Sequence, residues 1–278
     1  MHTLITADWA AAIAGYLLWL RAGDVAESSR NTRKQHLQHL ARRIGAGPWD
    51  ITAEQLLSFY SDQHWATETR RGRRATYRGF YSWAVDEGHI SVSPAGKLRR
   101  VRPSEPKPRP VPDDVYLEAL IRANEDEAIW IDLAAEHGLR RAEIATIHSR
   151  RIVPTLLGHD LLVLGKGRKV RQVPLTTAMA RSLMARPTGW AFPGECDGHI
   201  SARWLGKRVN RLLSEDWTIH KLRHRAATRF WVAAEGDAYA VAELMGWASI
   251  SMVRVYVELP ETRLREVLVS ASKYASRL

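Results

Sequence analysis

The sequence predicts a mainly α-helical protein in two parts: an N-terminal helical bundle, then an α+β domain with a small antiparallel sheet. Three observations carry this expectation. Apolar residues recur at helical spacing through residues 1–90. Two apolar runs flank a Gly-Lys-Gly turn at 165–167. Between the two parts, residues 91–112 hold six prolines, at 94, 103, 106, 108, 110 and 112, which argue against a long helix or a central strand there. The boundaries read as 1–92, 93–112 and 113–278.

The bundle reads as about four helices. In the first, Trp9, Ile13, Tyr16, Leu17 and Leu20 share a face. This opening stretch lacks a basic leader, Asp8 interrupts it, and no apolar run of the chain approaches the length of a membrane span. The second, "SSRNTRKQHLQHLARRIG", runs from a Ser cap to Gly45, and the third starts from a Thr52 cap. The fourth carries Tyr77, Phe80, Tyr81, Ala84 and Val85 on one side and ends at Gly88.

The second part opens with helical patterns at 113–124, 126–137 and 141–147. Strands follow in "RRIV", "DLLVLGKG" and "RKVRQVPL". Helices return at 176–186, 201–214, 220–234, 237–246, 249–257 and 260–272.

The chain has 278 residues, a net charge of +11 and a pI near 10.1, which points to a polyanionic partner, nucleic acid before a membrane surface. Of that charge, +5 lies in residues 91–112, a stretch that reads equally as a soluble spacer or as a strap along phosphates. Cys196 is the one cysteine, so there is no intramolecular disulfide and no Cys-based zinc finger, and a reducing cytoplasm fits.

Four short stretches hold the candidate chemistry. In "GLRRAEI", Arg140 and Glu143 lie three apart and can share a helix face, the spacing also of an ordinary surface pair. Lys166 sits at a hairpin tip between Gly165 and Gly167, where a solvated turn lysine is the ordinary reading. In "IHKLRHRAATRF" (219–230), Leu222, Ala226, Phe230 and Ala233 form the apolar stripe. Arg223 falls at its edge with His220 one turn before, while Lys221, Arg225 and Arg229 project to the other side. Trp247 and Tyr256 lie in "LMGWASISMVRVY", where core packing is the usual role of aromatics.

The order "GLRRAEI", hairpin "GKG…VPL", "HKLRH", "LMGWASISMVRVY" resembles the tyrosine recombinase (phage integrase) family, whose pattern is Gly-Leu-Arg-x-x-Glu, a hairpin Lys, His-x-x-Arg-His, Leu-Gly-His/Trp and Tyr. The resemblance covers 113–278 and extends upstream through "RRGRRATYRGFYSWAVDEGHISVSPA". Met245 stands where Leu is usual. The resemblance implies a SAM-like core-binding bundle, a C-terminal catalytic domain, and a site-specific recombinase of phage or prophage integration in a short form without an arm-binding domain. Tyr256 would be the nucleophile and Arg140 and Arg223 the phosphate clamp. Lys166 would protonate the leaving oxygen, His220 would assist as base and Trp247 would donate its indole N–H. Glu143 and His224 would support them.

No metal or other cofactor is expected, since two guanidinium groups supply the positive charge that a phosphoryl transition state needs. The implied partner is double-stranded DNA at a core (attachment) site. Arg70, Arg71, Arg73, Arg74, Lys97, Arg99, Arg100, Arg102, Arg168 and Lys169 are the candidate contacts. The two domains would close as a C-shaped clamp on the duplex. The protein would be a homotetramer in the synapse and a monomer or dimer when free, in the cytoplasm and at no membrane. Two rival readings are a DNA-binding regulator that kept the fold, and a topoisomerase or hairpin-forming resolvase with the same chemistry.

Overall fold

The structure is a computed structural model that describes residues 5–105, 107–165, 170–214, 216–257, 265, 268 and 269. The chain divides into two compact units, Met1–Glu105 and Pro106–Leu278.

The first unit holds α1 (Ala7–Ala22), α2 (Glu27–Ala41), α3 (Ala53–Ser61) and α4 (Thr67–Asp86). Thr52 caps α3 in a reciprocal box with Gln55. The Ser cap expected for α2 is not used: the helix begins one residue earlier at Glu27, whose acidic side chain suits the positive helix end. The core is aromatic. Phe80 stacks with Trp9 and Trp49 at centroid distances of 6.0 and 5.7 Å, and Tyr16 meets it edge-on at 5.5 Å. The proline-rich stretch joins this core at its start. A 3-10 turn at Pro94–Lys97 buries Ala95, Leu98 follows it inside, and Arg74 Nε donates to the Leu98 carbonyl at 2.9 Å.

The second unit begins with α5 (Asp113–Arg122), α6 (Glu125–Ala135) and the short α7 (Arg141–Ala145). Strands β1 (Ile152–Thr155), β2 (Gly158–Leu164) and β3 (Val170–Leu175) form one antiparallel sheet in that order. Leu161 pairs with Ile152 on one side and Val173 on the other, so the inward residues of all three strands meet one layer of the core. Then come α8 (Thr177–Met184), a short strand β4 (Pro193–Cys196) not anticipated from the sequence, α9 (Ala202–Leu212), α10 (Ile219–Ala233) and α11 (Ala238–Met245). A 3-10 turn at Ile250–Met252 leads into α12 (Val253–Tyr256).

Helix α10 is the axis of this unit. Residues 222–227 are buried without a break, and the helix packs against α6, α9, α11 and α12. The helix expected at 260–272 lies outside the described residues apart from 265, 268 and 269. Among the described residues no helix is long and apolar enough to cross a membrane.

Candidate active site

Arg140 is the N-cap of α7, and Glu143 in the first turn bonds it twice. Glu143 Oε2 accepts from the Arg140 backbone N–H at 2.8 Å, and Oε1 accepts from its guanidinium at 2.8 Å. Glu143 is itself buried, and Arg171 of β3 donates to both its oxygens, at 2.9 and 3.0 Å. Burial pushes the Glu143 carboxyl up, but the bonds and charges of Arg171 and Arg140 outweigh it and hold the group below the usual carboxylate range.

Arg223 comes from α10 and is 1% exposed. Among the described residues no carboxylate pairs with it directly, although the nearby Glu143 charge favours its cationic form. Its two terminal nitrogens donate to the carbonyls of Gly138 and Met245, while Nε has no partner among the described residues. Burial first, then the Arg140 charge, lower this guanidinium to about 9, so it stays a cation at neutral pH. Those two carbonyls tie Arg223 to the loop before Arg140 and to the end of α11.

That end is a left-handed turn. Gly246 has φ 60° and ψ 52°, and a Cβ there would lie 2.6 Å from Arg171 Cδ, so the site requires glycine on two counts. The turn releases Trp247, and α12 then delivers Tyr256 into a nest of rings. Tyr256 lies 4.5 Å from His224 at 31°, 5.0 Å from Trp247 at 36°, and 5.6 Å edge-on from His220. The Arg223 guanidinium carbon stands 6.0 Å from the Tyr256 ring. Among the described residues, Trp247 Nε1, His224 Nδ1 and Arg223 Nε around this nest are buried without a partner.

Desolvation, then the charges of Arg223, Arg140 and Arg141, lower His220 from its ordinary value. Burial and the neighbouring His220, Lys221 and Arg223 lower His224 to about 4. Both rings are therefore neutral at pH 7 and able to accept a proton. Arg140, His220 and Arg223 open onto one cleft of about 440 Å³, which Arg141, Asn210 and Thr218 also line. A cleft with this much fixed positive charge is suited to a phosphate.

The structure thus brings together Arg140, Glu143, His220, Arg223, His224, Trp247 and Tyr256 out of the sequence candidates. Lys166, Arg168 and Lys169 lie outside the described residues. One expectation is corrected: Arg225 does not project outward with Arg229. Its side chain is 6% exposed, stacked over Tyr116 and paired with Asp113 and Glu136 at 2.7 and 2.6 Å.

The basic residues of the first unit separate. Arg70 bonds the Tyr60 carbonyl at 3.3 Å, and Arg73 lies over the Trp65 ring at 4.3 Å with two buried nitrogens unpartnered. Lys97 pairs with Glu54 and Arg71 with Glu68, both at 2.6 Å. Arg71, Arg74 and Arg100 line a shared cavity of about 420 Å³, and Arg99 and Arg102 are exposed.

Sequence reasoning missed Arg171. The available signal was alternation: Arg171 is in step with the inward Val173 and Leu175.

Comparison with known proteins identifies the family. The sequence matches the Phage integrase family over residues 114–263. Tyrosine recombinase XerC of Xylella fastidiosa (strain M23) is 30% identical over 249 residues, covering 80% of this chain and 82% of its own. A XerC of Methylobacterium sp. (strain 4-46) is 31% identical over 229 residues, covering 73% and 71%. In fold, the chain resembles a lambda integrase fragment (75–356) solved as a dimer bound to a COC′ core site, with TM-score 0.69, 18% identity and 90% and 97% of the two chains covered. It also resembles XerH in a post-cleavage complex with difH, with TM-score 0.68, 18% identity and 88% and 80% covered. The matched segment contains every ring and cation of the cleft, and the chain belongs to the phage integrase family of tyrosine recombinases.

Proposed function

We propose that this protein is a site-specific DNA recombinase that works through a 3′-phosphotyrosine intermediate. The observation that carries the reading is the enclosure of Tyr256 by His220, His224 and Trp247 beside Arg223, with Arg140 on the same cleft. Arg140 and Arg223 hold the non-bridging oxygens of a phosphodiester in duplex DNA. The Tyr256 oxygen attacks phosphorus and its proton passes to neutral His220. The bond to the 5′ oxygen breaks, and Lys166 supplies that oxygen's proton. Trp247 Nε1 donates to a phosphate oxygen. The 5′-hydroxyl of a partner strand reverses the step and joins the strands. The covalent link retains the bond energy, so neither ATP nor a metal ion enters.

Residues 1–92 and the basic stretch 93–112 grip the core site, and residues 113–278 carry the chemistry. Four copies assemble in the synapse, in the cytoplasm. Integration of phage or prophage DNA is one outcome of this chemistry. The XerC name of relatives covering four-fifths of the chain favours a second, resolution of chromosome dimers.

The test uses a nicked duplex carrying a core site selected from a randomised pool, incubated in chelator. A covalent protein–DNA adduct is expected, and Tyr256→Phe is expected to form none. An adduct with the Phe variant, or an absolute need for magnesium, would sink the mechanism.

A further inference from the structure

The family pattern leaves the residue after Arg140 open, and here it is a third arginine. Arg141 is exposed and lines the same cleft as Arg140, His220 and Arg223, and its charge is one of those that lower His220. Glu143, the carboxylate of that turn, is already taken by Arg140 and Arg171. Among the described residues Arg141 makes no hydrogen bond or ion pair, so its charge has no internal partner.

Its path is nevertheless shaped. The side chain lies across Gly206 of α9: a Cβ at Gly206 would stand 3.3 Å from Arg141 Cδ and 3.5 Å from Nη1. Gly206 is buried at the middle of a regular helix, where glycine is about 1 kcal/mol less favourable than alanine. The groove this glycine leaves lets the guanidinium lie flat against α9. Asn210, one turn on, lines the cleft and accepts the backbone N–H of Ile219 at 2.9 Å, fixing the start of α10 beside it.

We propose that Arg141 binds a second phosphodiester, next to the scissile one, and that Gly206 is the residue that aims it. The proposal rests on the reading of the cleft as a DNA phosphate site. An exposed guanidinium with five donors and no internal acceptor is free to take an anion, and in this reading two arginines already serve the reacting phosphate. Arg141 would raise affinity and fix the strand in the cleft without taking part in the bond exchange, so it is a positioning residue.

Binding is measured on the Tyr256→Phe background, so that the result does not depend on which group is the nucleophile. Duplex core sites carry one neutral methylphosphonate at a time, at the scissile linkage and at each neighbour. Arg141→Ala is expected to weaken binding to unmodified DNA about tenfold and to reduce the slope of log affinity on log salt by about 1, the share of one phosphate contact. Arg141→Lys should keep the slope and lose part of the affinity. One flanking methylphosphonate should weaken the parent protein by a similar factor and leave Arg141→Ala unaffected. Gly206→Ala should weaken binding severalfold with no loss of thermal stability, since alanine is the better helix former. In an otherwise wild-type chain, Arg141→Ala should raise the DNA concentration for half-maximal single-turnover cleavage by more than it lowers the rate at saturation. The proposal fails if every flanking methylphosphonate weakens Arg141→Ala as much as the parent. It also fails if only the scissile linkage responds, or if the loss falls on cleavage of bound DNA instead of on binding. Failure of the wild-type chain to form any adduct, with these binding differences intact, would count against Tyr256 and not against Arg141.

Discussion

Arg171 grips Glu143 with both terminal nitrogens, Nη1 to Oε1 at 2.9 Å and Nη2 to Oε2 at 3.0 Å. The pair is almost dry, with side chains 9% and 5% exposed. It joins three parts of the cleft. Glu143 fixes Arg140 through backbone and guanidinium, Arg171 packs under the Gly246 turn that releases Trp247, and its own backbone is part of β3. A planar fork on a carboxylate fixes angles as well as distance, which a point charge cannot do.

Arg171→Met is therefore expected to cost about 3 kcal/mol, because it strands a buried carboxylate with one remaining partner. Arg171→Lys should recover charge but not the second bond, and so regain only part of the stability. Urea midpoints check this. Adduct formation should fall further than stability explains, since Arg140 loses its fixed neighbour. A variant as stable and active as wild type would show that the pair does not organise the cleft.

Arg225 gives a second case. Its guanidinium is stacked 4.1 Å from Tyr116 and pinned by Asp113 and Glu136, and it does not line the cleft. Arg225→Ala should cost about 0.5–3 kcal/mol in urea unfolding, from lost packing over Tyr116 and two lost ion pairs. Its salt dependence of DNA binding should match wild type. A reduced salt slope would mean that Arg225 touches phosphate after all.

This residue also marks how far the sequence could be read. The helical wheel separated Arg223 from its neighbours by its nearness to Leu222 and Ala226. The motif order then placed His220, Arg223, Trp247 and Tyr256 in one site, which the structure brings together. Arg225 was misplaced because its partners are 112 and 89 residues away in the chain, and no local pattern carries that distance. The wheel also assumes one wet face, whereas α10 is buried from 222 to 227. Arg171 was missed for a related reason: a charge in an inward strand position looks like a flaw until the carboxylate that meets it is known. The bundle was easier, since capping by Thr52 and the aromatic spacing of α4 are local facts.

Stability should fall in mild acid. Burial, then the Arg73 charge, push His36 and His39 down to about 4, and burial with nearby cations does the same for His224. In the unfolded chain each titrates near pH 6.5. Between about pH 6.5 and 4 the unfolded state thus binds protons that the folded state refuses. Stability is full above that window and is lost as pH falls through it, less steeply for His36 and His39, which keep contact with water. Replacing His39, whose ring packs on Phe59 and Trp65, by phenylalanine should keep the packing and flatten the slope by one residue's share. Urea midpoints between pH 7.5 and 4.5 test this, and an unchanged slope would contradict it.

Trp247 offers the sharpest separation of packing from chemistry. Its ring lies 5.0 Å from Tyr256, so it fills space beside that ring, yet its Nε1 is buried without an acceptor among the described residues. A buried donor left unmade costs about 1–3 kcal/mol, which a core role alone does not justify. A phosphate oxygen in the cleft would take that bond, and a bond to a charged group contributes about 1.5–3 kcal/mol. Trp247→Phe keeps an aromatic ring while removing the donor and one of the two fused rings. Loss of the unpaired donor offsets part of the lost packing, and single-turnover cleavage should slow about ten- to hundredfold. Trp247→His restores an N–H with less ring to pack, so it should be less stable than the Phe variant and cleave faster. If the Phe variant cleaves at the wild-type rate, the indole is packing alone. If His is slower than Phe, its N–H does not reach the phosphate.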